Sequence, residues 1–168
     1  MNYEPYLAEY NMLRQDIQQR ISFRFRLFSL LLVSLAALLP LGIEQVNSNI
    51  LFAYPILSLF LILSWMHQST IMIKIARYLR DELEPKVDGL NWEAFILRDS
   101  KRLSSFSLFG FFATAGFVLF SQGLMLTLGF LIQDESTDGA WNIVMQVVSI
   151  AASALTFLFL IVYRQMKR

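Results

Sequence analysis

The sequence predicts an all-α membrane protein: four transmembrane helices with helical cytoplasmic extensions and both termini inside. Three observations lead there. Of 168 residues, 56% are hydrophobic and 16% charged, with a mean hydropathy of +0.52, against about 25% charged residues in a soluble domain. The charges leave four long gaps, Arg26 to Glu44, Glu44 to Lys74, Arg102 to Asp134 and Asp138 to Arg164. Each gap holds an apolar run near the ~20 helical residues that cross hydrocarbon. Finally, all 14 Lys and Arg fall on one side of those runs, which the positive-inside rule assigns to the cytoplasm.

Residues 1–26 form a cytoplasmic amphipathic helix. Tyr6, Tyr10, Leu13, Ile17 and Ile21 are spaced four, three, four and four, one stripe on an α-helix. The stripe suits packing on the protein's own hairpin, a coiled-coil seam with another subunit, or lipid. Lipid is disfavoured by the acidic residues among the basic ones. Four arginines, Arg14, Arg20, Arg24 and Arg26, precede the first span.

Residues 27–66 are the first transmembrane hairpin, with spans at 27–43 and 50–66. A buried charge would cost roughly 2.5–3.5 kcal/mol at mid-bilayer, and these runs contain none. Twenty-six residues precede the first run, among them Glu4, Glu9 and Asp16, unlike the short basic start of a cleaved signal. Asn47, Ser48 or Asn49 can cap the second span.

Residues 67–104 are a cytoplasmic helical hairpin carrying seven basic residues. Its first helix extends the second span and stops at Pro85, which lacks the N–H to continue. Asp88-Gly89 signals a turn, and Asn91 is placed to cap a second helix through Trp92, Phe95 and Ile96. Ile71, Ile75, Tyr78, Leu79 and Leu83 stripe the first helix.

Residues 105–163 are the second transmembrane hairpin, with spans at 105–132 and 141–163, and 164–168 is a basic cytoplasmic tail. The intervening loop holds Asp134, Glu135 and Asp138 and no basic residue. Asp138-Gly139 turns the chain into Trp141, an interfacial anchor. Span three carries Gly110, Gly116, Gly123 and Gly129, read as one drifting face for close helix packing within or between subunits. Its phenylalanines, Phe106, Phe109, Phe111, Phe112, Phe117 and Phe120, are assigned to lipid. Gln122 and Gln146 are the strongly polar residues of spans three and four and can bond to each other, worth roughly 1 kcal/mol in lipid.

Chemistry finds little foothold. With no cysteine, thiol catalysis and Cys-ligated metals are excluded. The single histidine, His67, has no His-x-x-x-His or Glu-x-x-His companion, and residue 62 is Ile, not the Arg of an Arg-x4-His nuclease. No phosphate loop or nucleophile elbow occurs, so no cofactor and no enzyme activity are expected. A span without an ionisable residue argues against an ion-coupled transporter, and a net charge of +1 against nucleic acid. The candidate cytoplasmic binding patch is His67, Arg77, Tyr78, Arg80, Trp92 and Glu93, a mixture of Arg and aromatics frequent at binding surfaces.

Tyr54-Pro55, Phe60-Leu61, Trp65, Ala76-Arg77-Tyr78-Leu79-Arg80, Glu84-Pro85 and Trp92-Glu93 form a pattern. It resembles a family of small uncharacterised bacterial integral membrane proteins, over about residues 5–95, with Glu9-Tyr10, Leu13-Arg14 and Arg20-Ile21 in its N-terminal part. That resemblance implies the bacterial inner membrane and names no activity. The layout is also similar to small membrane effectors of bacterial defence systems. The expected partners are the lipid bilayer, further copies of the chain and a cytoplasmic protein. The expected roles are a self-associating effector or sensor, an accessory scaffold subunit, or an uncoupled facilitator of a neutral solute.

Overall fold

The computed structural model describes residues 3–87, 89–102, 104–132 and 139–166, with the side-chain surroundings at 97, 99–111 and 166 left out. Every element among the described residues is helical: α1 (Glu4–Glu44), α2 (Ser48–Tyr78), a π-helical turn (Leu79–Leu83), a 3-10 turn (Glu84–Lys86), α3 (Trp92–Arg102), α4 (Ser104–Ile132) and α5 (Ala140–Met166). Among the described residues, four helical stretches are long and apolar enough to cross a membrane: Glu4–Glu44, Ser48–Lys86, Phe112–Ile132 and Ala140–Gln165.

Two compact units divide the chain. Unit 1 comprises Met1–Arg26 and Met66–Phe111, and unit 2 comprises Leu27–Trp65 and Phe112–Arg168. The amphipathic N-terminal segment and the first apolar run are one uninterrupted helix, α1. Pro40 sits inside its last turns, where the loss of one hydrogen bond is tolerated near a helix end.

Unit 1 closes on a small core. Tyr10 and Ile17 of α1 are buried against Leu79 and Leu83, with Leu13, Met72, Ile75 and Leu90 packed around them. The stripe of α1 therefore lies on the protein's own helices, the first of the three surfaces it suits. Its ends behave differently, for Tyr6 and Ile21 are exposed. Leu79 and Leu83, the first and last residues of the π-helical turn, both face inward, at 0% and 1% exposure.

Unit 2 is held by heptad-spaced faces. On α5, Asn142, Ser149, Thr156 and Tyr163 recur every seven residues, and all four are buried. On α4, Ala115, Val118, Gln122, Met125 and Gly129 alternate steps of three and four, also buried. Such spacing averages 3.5 residues, the period that keeps a helix seam facing its neighbour. Gly129 is required where it stands, since a Cβ there would come 2.7 Å from the Phe52 ring. A Cβ on Gly42 of α1 would likewise overlap the Leu51 side chain. Phe28 of α1 packs on Phe117 of α4 at 5.5 Å between centroids.

Two local readings need correction. The glycines of α4 do not share a face: Gly116 and Gly123 are exposed with no atom within 4 Å of a Cβ, whereas Gly129 is buried. At about 100° per residue, a step of seven drifts only about 20°, but a step of six lands about 120° away. Gly110 and the phenylalanines at 106, 109 and 111 lie outside the described side chains. Phe112 and Phe120 are exposed as expected, and Phe117 is half-buried.

The connection from α1 to α2 ends in a Schellman turn. Asn47 N–H donates to Gly42 and Val46 N–H to Ile43, and Val46 adopts the left-handed conformation with φ of 49°. Asn47 Oδ1 then accepts the Asn49 N–H, the capping expected there. The Asp138-Gly139 turn falls partly outside the described residues, while Trp141 is exposed.

Candidate functional site

Arg14 joins α1 to α3 in unit 1. Its Nη1 lies 2.9 Å from Glu93 Oε1, its Nε donates to Tyr10 Oη at 3.2 Å, and its guanidinium stacks over the Tyr10 and Trp92 rings at 5.6 Å from each centroid. Glu93 is 11% exposed. Burial holds its carboxyl above the ordinary range, and the nearby Arg14 pulls it back only in part.

Glu84 is the second anchor, 4% exposed. Its carboxylate accepts the backbone N–H of Glu93 at 2.6 Å and of Ala94 at 3.2 Å. Those are first-turn donors of α3, which a helix start leaves without intrahelical partners. The sequence places Asn91 as the cap. The carboxylate from the 3-10 turn takes the role because it brings full negative charge to the positive end of the helix.

Further pairs tie the same elements. Tyr78 donates to Glu9 at 2.9 Å, which holds its phenol above the usual range. Arg80 reaches the adjacent Asp81 through two bonds, at 2.7 and 2.9 Å, and keeps that carboxyl below its usual range. Lys86 stands over the Tyr6 ring. Arg20 joins Asp16 to Gln68, with Nη1 to Oε1 at 2.7 Å.

Of the six patch residues, Trp92 and Glu93 meet at Arg14, and Arg80 acts electrostatically on Glu93. Tyr78 is engaged separately with Glu9. Arg77 and His67 are exposed, and His67 stands eleven residues before Tyr78, about 16 Å along the helix. Glu9, Arg14 and Glu84 complete the cluster and are absent from the sequence-derived patch. The cluster is mainly a joint, because its strongest contacts are internal. What it leaves uncovered is one side of α3: Trp92, Phe95 and Ile96 are 51%, 55% and 41% exposed.

Unit 2 contains a ladder of neutral polar pairs. Gln122 Nε2 donates to Ser58 Oγ at 2.6 Å and to Thr156 Oγ1 at 3.1 Å. Both hydroxyls pass their own hydrogens to backbone carbonyls, of Pro55 and Ala152. The two amide hydrogens of Gln122 are thereby used on α2 and α5, and not on Gln146, the partner that the sequence suggests. Tyr54 donates to Ser121 at 2.9 Å, Ser149 to the Phe52 carbonyl, and Ser48 pairs with Asn142. These bonds clasp α2, α4 and α5 through neutral groups.

No group of three or more His, Asp or Glu able to hold a metal occurs among the described residues. No protein-family model, curated protein or solved structure matches the chain.

Proposed function

We propose that the chain is a self-associating, non-enzymatic protein of the bacterial inner membrane, with both termini cytoplasmic, whose cytoplasmic helices bind a protein partner. The observation that carries this reading is α3. Its start is pinned by Glu84 and Arg14, yet the apolar side formed by Trp92, Phe95 and Ile96 stays exposed. A helix held by polar clamps while its aromatic side stays open is suited to docking.

The membrane reading draws on the four apolar helices and on the one-sided placement of all 14 basic residues. Self-association draws on Gly116 and Gly123, which share the exposed face of α4 and leave room for a neighbouring backbone. The output is either a membrane effector, which needs several copies to surround a path, or a scaffold that holds the partner. The neutral polar pairs that join α2, α4 and α5 to one another favour the scaffold for a single copy.

The test is the subunit count in lipid nanodiscs by native mass spectrometry, with the Phe95→Asp variant alongside. A closed assembly of four or more copies supports the effector role. A dimer that retains a stoichiometric partner, lost in Phe95→Asp, supports the scaffold, and a monomer that retains one overturns self-association and leaves the partner reading. A monomer with no partner and no effect of Phe95→Asp refutes the proposal.

A further inference from the structure

We infer that the open side of α3 docks against the same side of a second copy of the chain, antiparallel, with Phe95 at the two-fold axis. Trp92, Phe95 and Arg98 follow one another at intervals of three, so they form one ridge along α3. The Trp92 and Phe95 rings lie 6.2 Å apart between centroids. Arg98 is exposed and has no hydrogen-bond or ion-pair partner among the described residues. Phe95 is the midpoint of this ridge. An antiparallel two-fold through it therefore sets Phe95 on Phe95 and each Trp92 opposite the Arg98 of the other copy. Both are favourable contacts, a ring on a ring and a cation over an indole. The same operation sets the exposed Ile96 opposite the half-buried Ala94, a large side chain against a small one. A parallel pairing would instead bring the two Arg98 guanidiniums together.

The ridge is presented in a fixed orientation. Glu84 caps the start of α3, and Arg14 stands over the Trp92 ring, yet about half of the indole stays open. Trp92, Phe95 and Ile96 together expose roughly 300 Å², whereas a stable interface takes ~800 Å² from each partner. The contact is thus too small to hold two copies in free solution. It forms between copies already confined to one bilayer, where their effective concentration is high. This inference rests on the docking reading of α3 above and names the partner.

The lack of cysteine allows a test on the full chain in inverted inner-membrane vesicles. A short bis-maleimide should join Phe95→Cys to itself. Trp92→Cys and Arg98→Cys should each fail to cross-link alone, and should cross-link when the two variants share one membrane. Adding Arg98→Gln to Phe95→Cys should slow the cross-link about tenfold, the scale of two exposed cation–π contacts. Self-linking of Trp92→Cys or of Arg98→Cys overturns the antiparallel pairing, and an unchanged rate with Arg98→Gln overturns the Trp92–Arg98 contact. Two outcomes separate this inference from the docking reading. A cross-link from position 95 to a different protein overturns the second copy and keeps the docking surface. No cross-link to any protein, with a label at position 95 quenched by spin-labelled lipid, defeats both.

Discussion

Replacing Glu84 should release the start of α3 without unfolding the rest of unit 1. Its carboxylate is 4% exposed and satisfies two backbone donors, at 2.6 and 3.2 Å. Hydrogen bonds to a charged group contribute roughly 1.5–3 kcal/mol each, and loss of a helix cap costs about 0.5–2 kcal/mol. Because one bond is long and water can reach the freed donors, the lower end applies. About 3 kcal/mol is expected for Glu84→Ala, and about half that for Glu84→Gln, which keeps a neutral acceptor. The assay is amide hydrogen exchange on the full chain in nanodiscs, read at Glu93 and Ala94. Local opening sets that exchange, so 3 kcal/mol corresponds to roughly a hundredfold faster exchange. The Tyr10–Leu79 core should keep its protection, since its contacts do not involve Glu84. Unchanged exchange at Glu93 and Ala94 in Glu84→Ala would refute the remote cap.

Three further predictions follow from the same geometry. Gln122→Leu should shift thermal stability by less than about 1 kcal/mol, because the Ser58 and Thr156 hydroxyls keep their carbonyl acceptors and the orphaned Gln122 Oε1 disappears; a loss of several kcal/mol would contradict that bookkeeping. Gly129→Ala should destabilise by about 1–3 kcal/mol through overlap with Phe52, while Gly123→Ala should leave a single copy unaffected; melting curves of equal midpoint for the two would contradict the packing. The raised carboxyl of Glu93 makes the folded state bind its proton more tightly than the unfolded chain, whose reference value is 4.5. Its contribution should therefore be fully present below 4.5 and decline as pH rises through the folded value, so Glu93→Gln should flatten the melting temperature between neutral pH and pH 4.5. A wild type already flat over that range would refute the assigned cause.

The long-range charge pattern was readable because it needs no knowledge of partners. Gaps between ionisable residues gave four apolar helices, and the stripe through Tyr10, Leu13 and Ile17 gave the buried side of α1. The polar clasp of unit 2 was also present in the sequence, as the seven-residue spacing of Asn142, Ser149, Thr156 and Tyr163. Ser149 and Thr156 read there as small residues for close helix packing, and only the folded chain shows their hydroxyls bonded to α2 and α4. Other features had no local signal. Nothing adjacent to Glu84 indicates that its carboxylate folds back onto α3, since the contact depends on the π-helical turn that precedes it. Asn91 was the better local candidate, and a charged acceptor brought close by the turn outcompetes it. Arg14 likewise looked like one of four topological arginines. Its pairing with Glu93 and Trp92 arises only when α1 folds beside α3.

The central claim is that the basic residues all lie on the cytoplasmic face of a four-span chain, and the absence of cysteine makes it directly measurable. Single substitutions Gln18→Cys, Asn47→Cys, Ser136→Cys and Gln165→Cys would be labelled with a membrane-impermeant maleimide in right-side-out and inverted inner-membrane vesicles. The account predicts that positions 18 and 165 react only in inverted vesicles, and positions 47 and 136 only in right-side-out ones. Labelling of 18 and 165 on opposite sides, or of all four positions on one side, would contradict it.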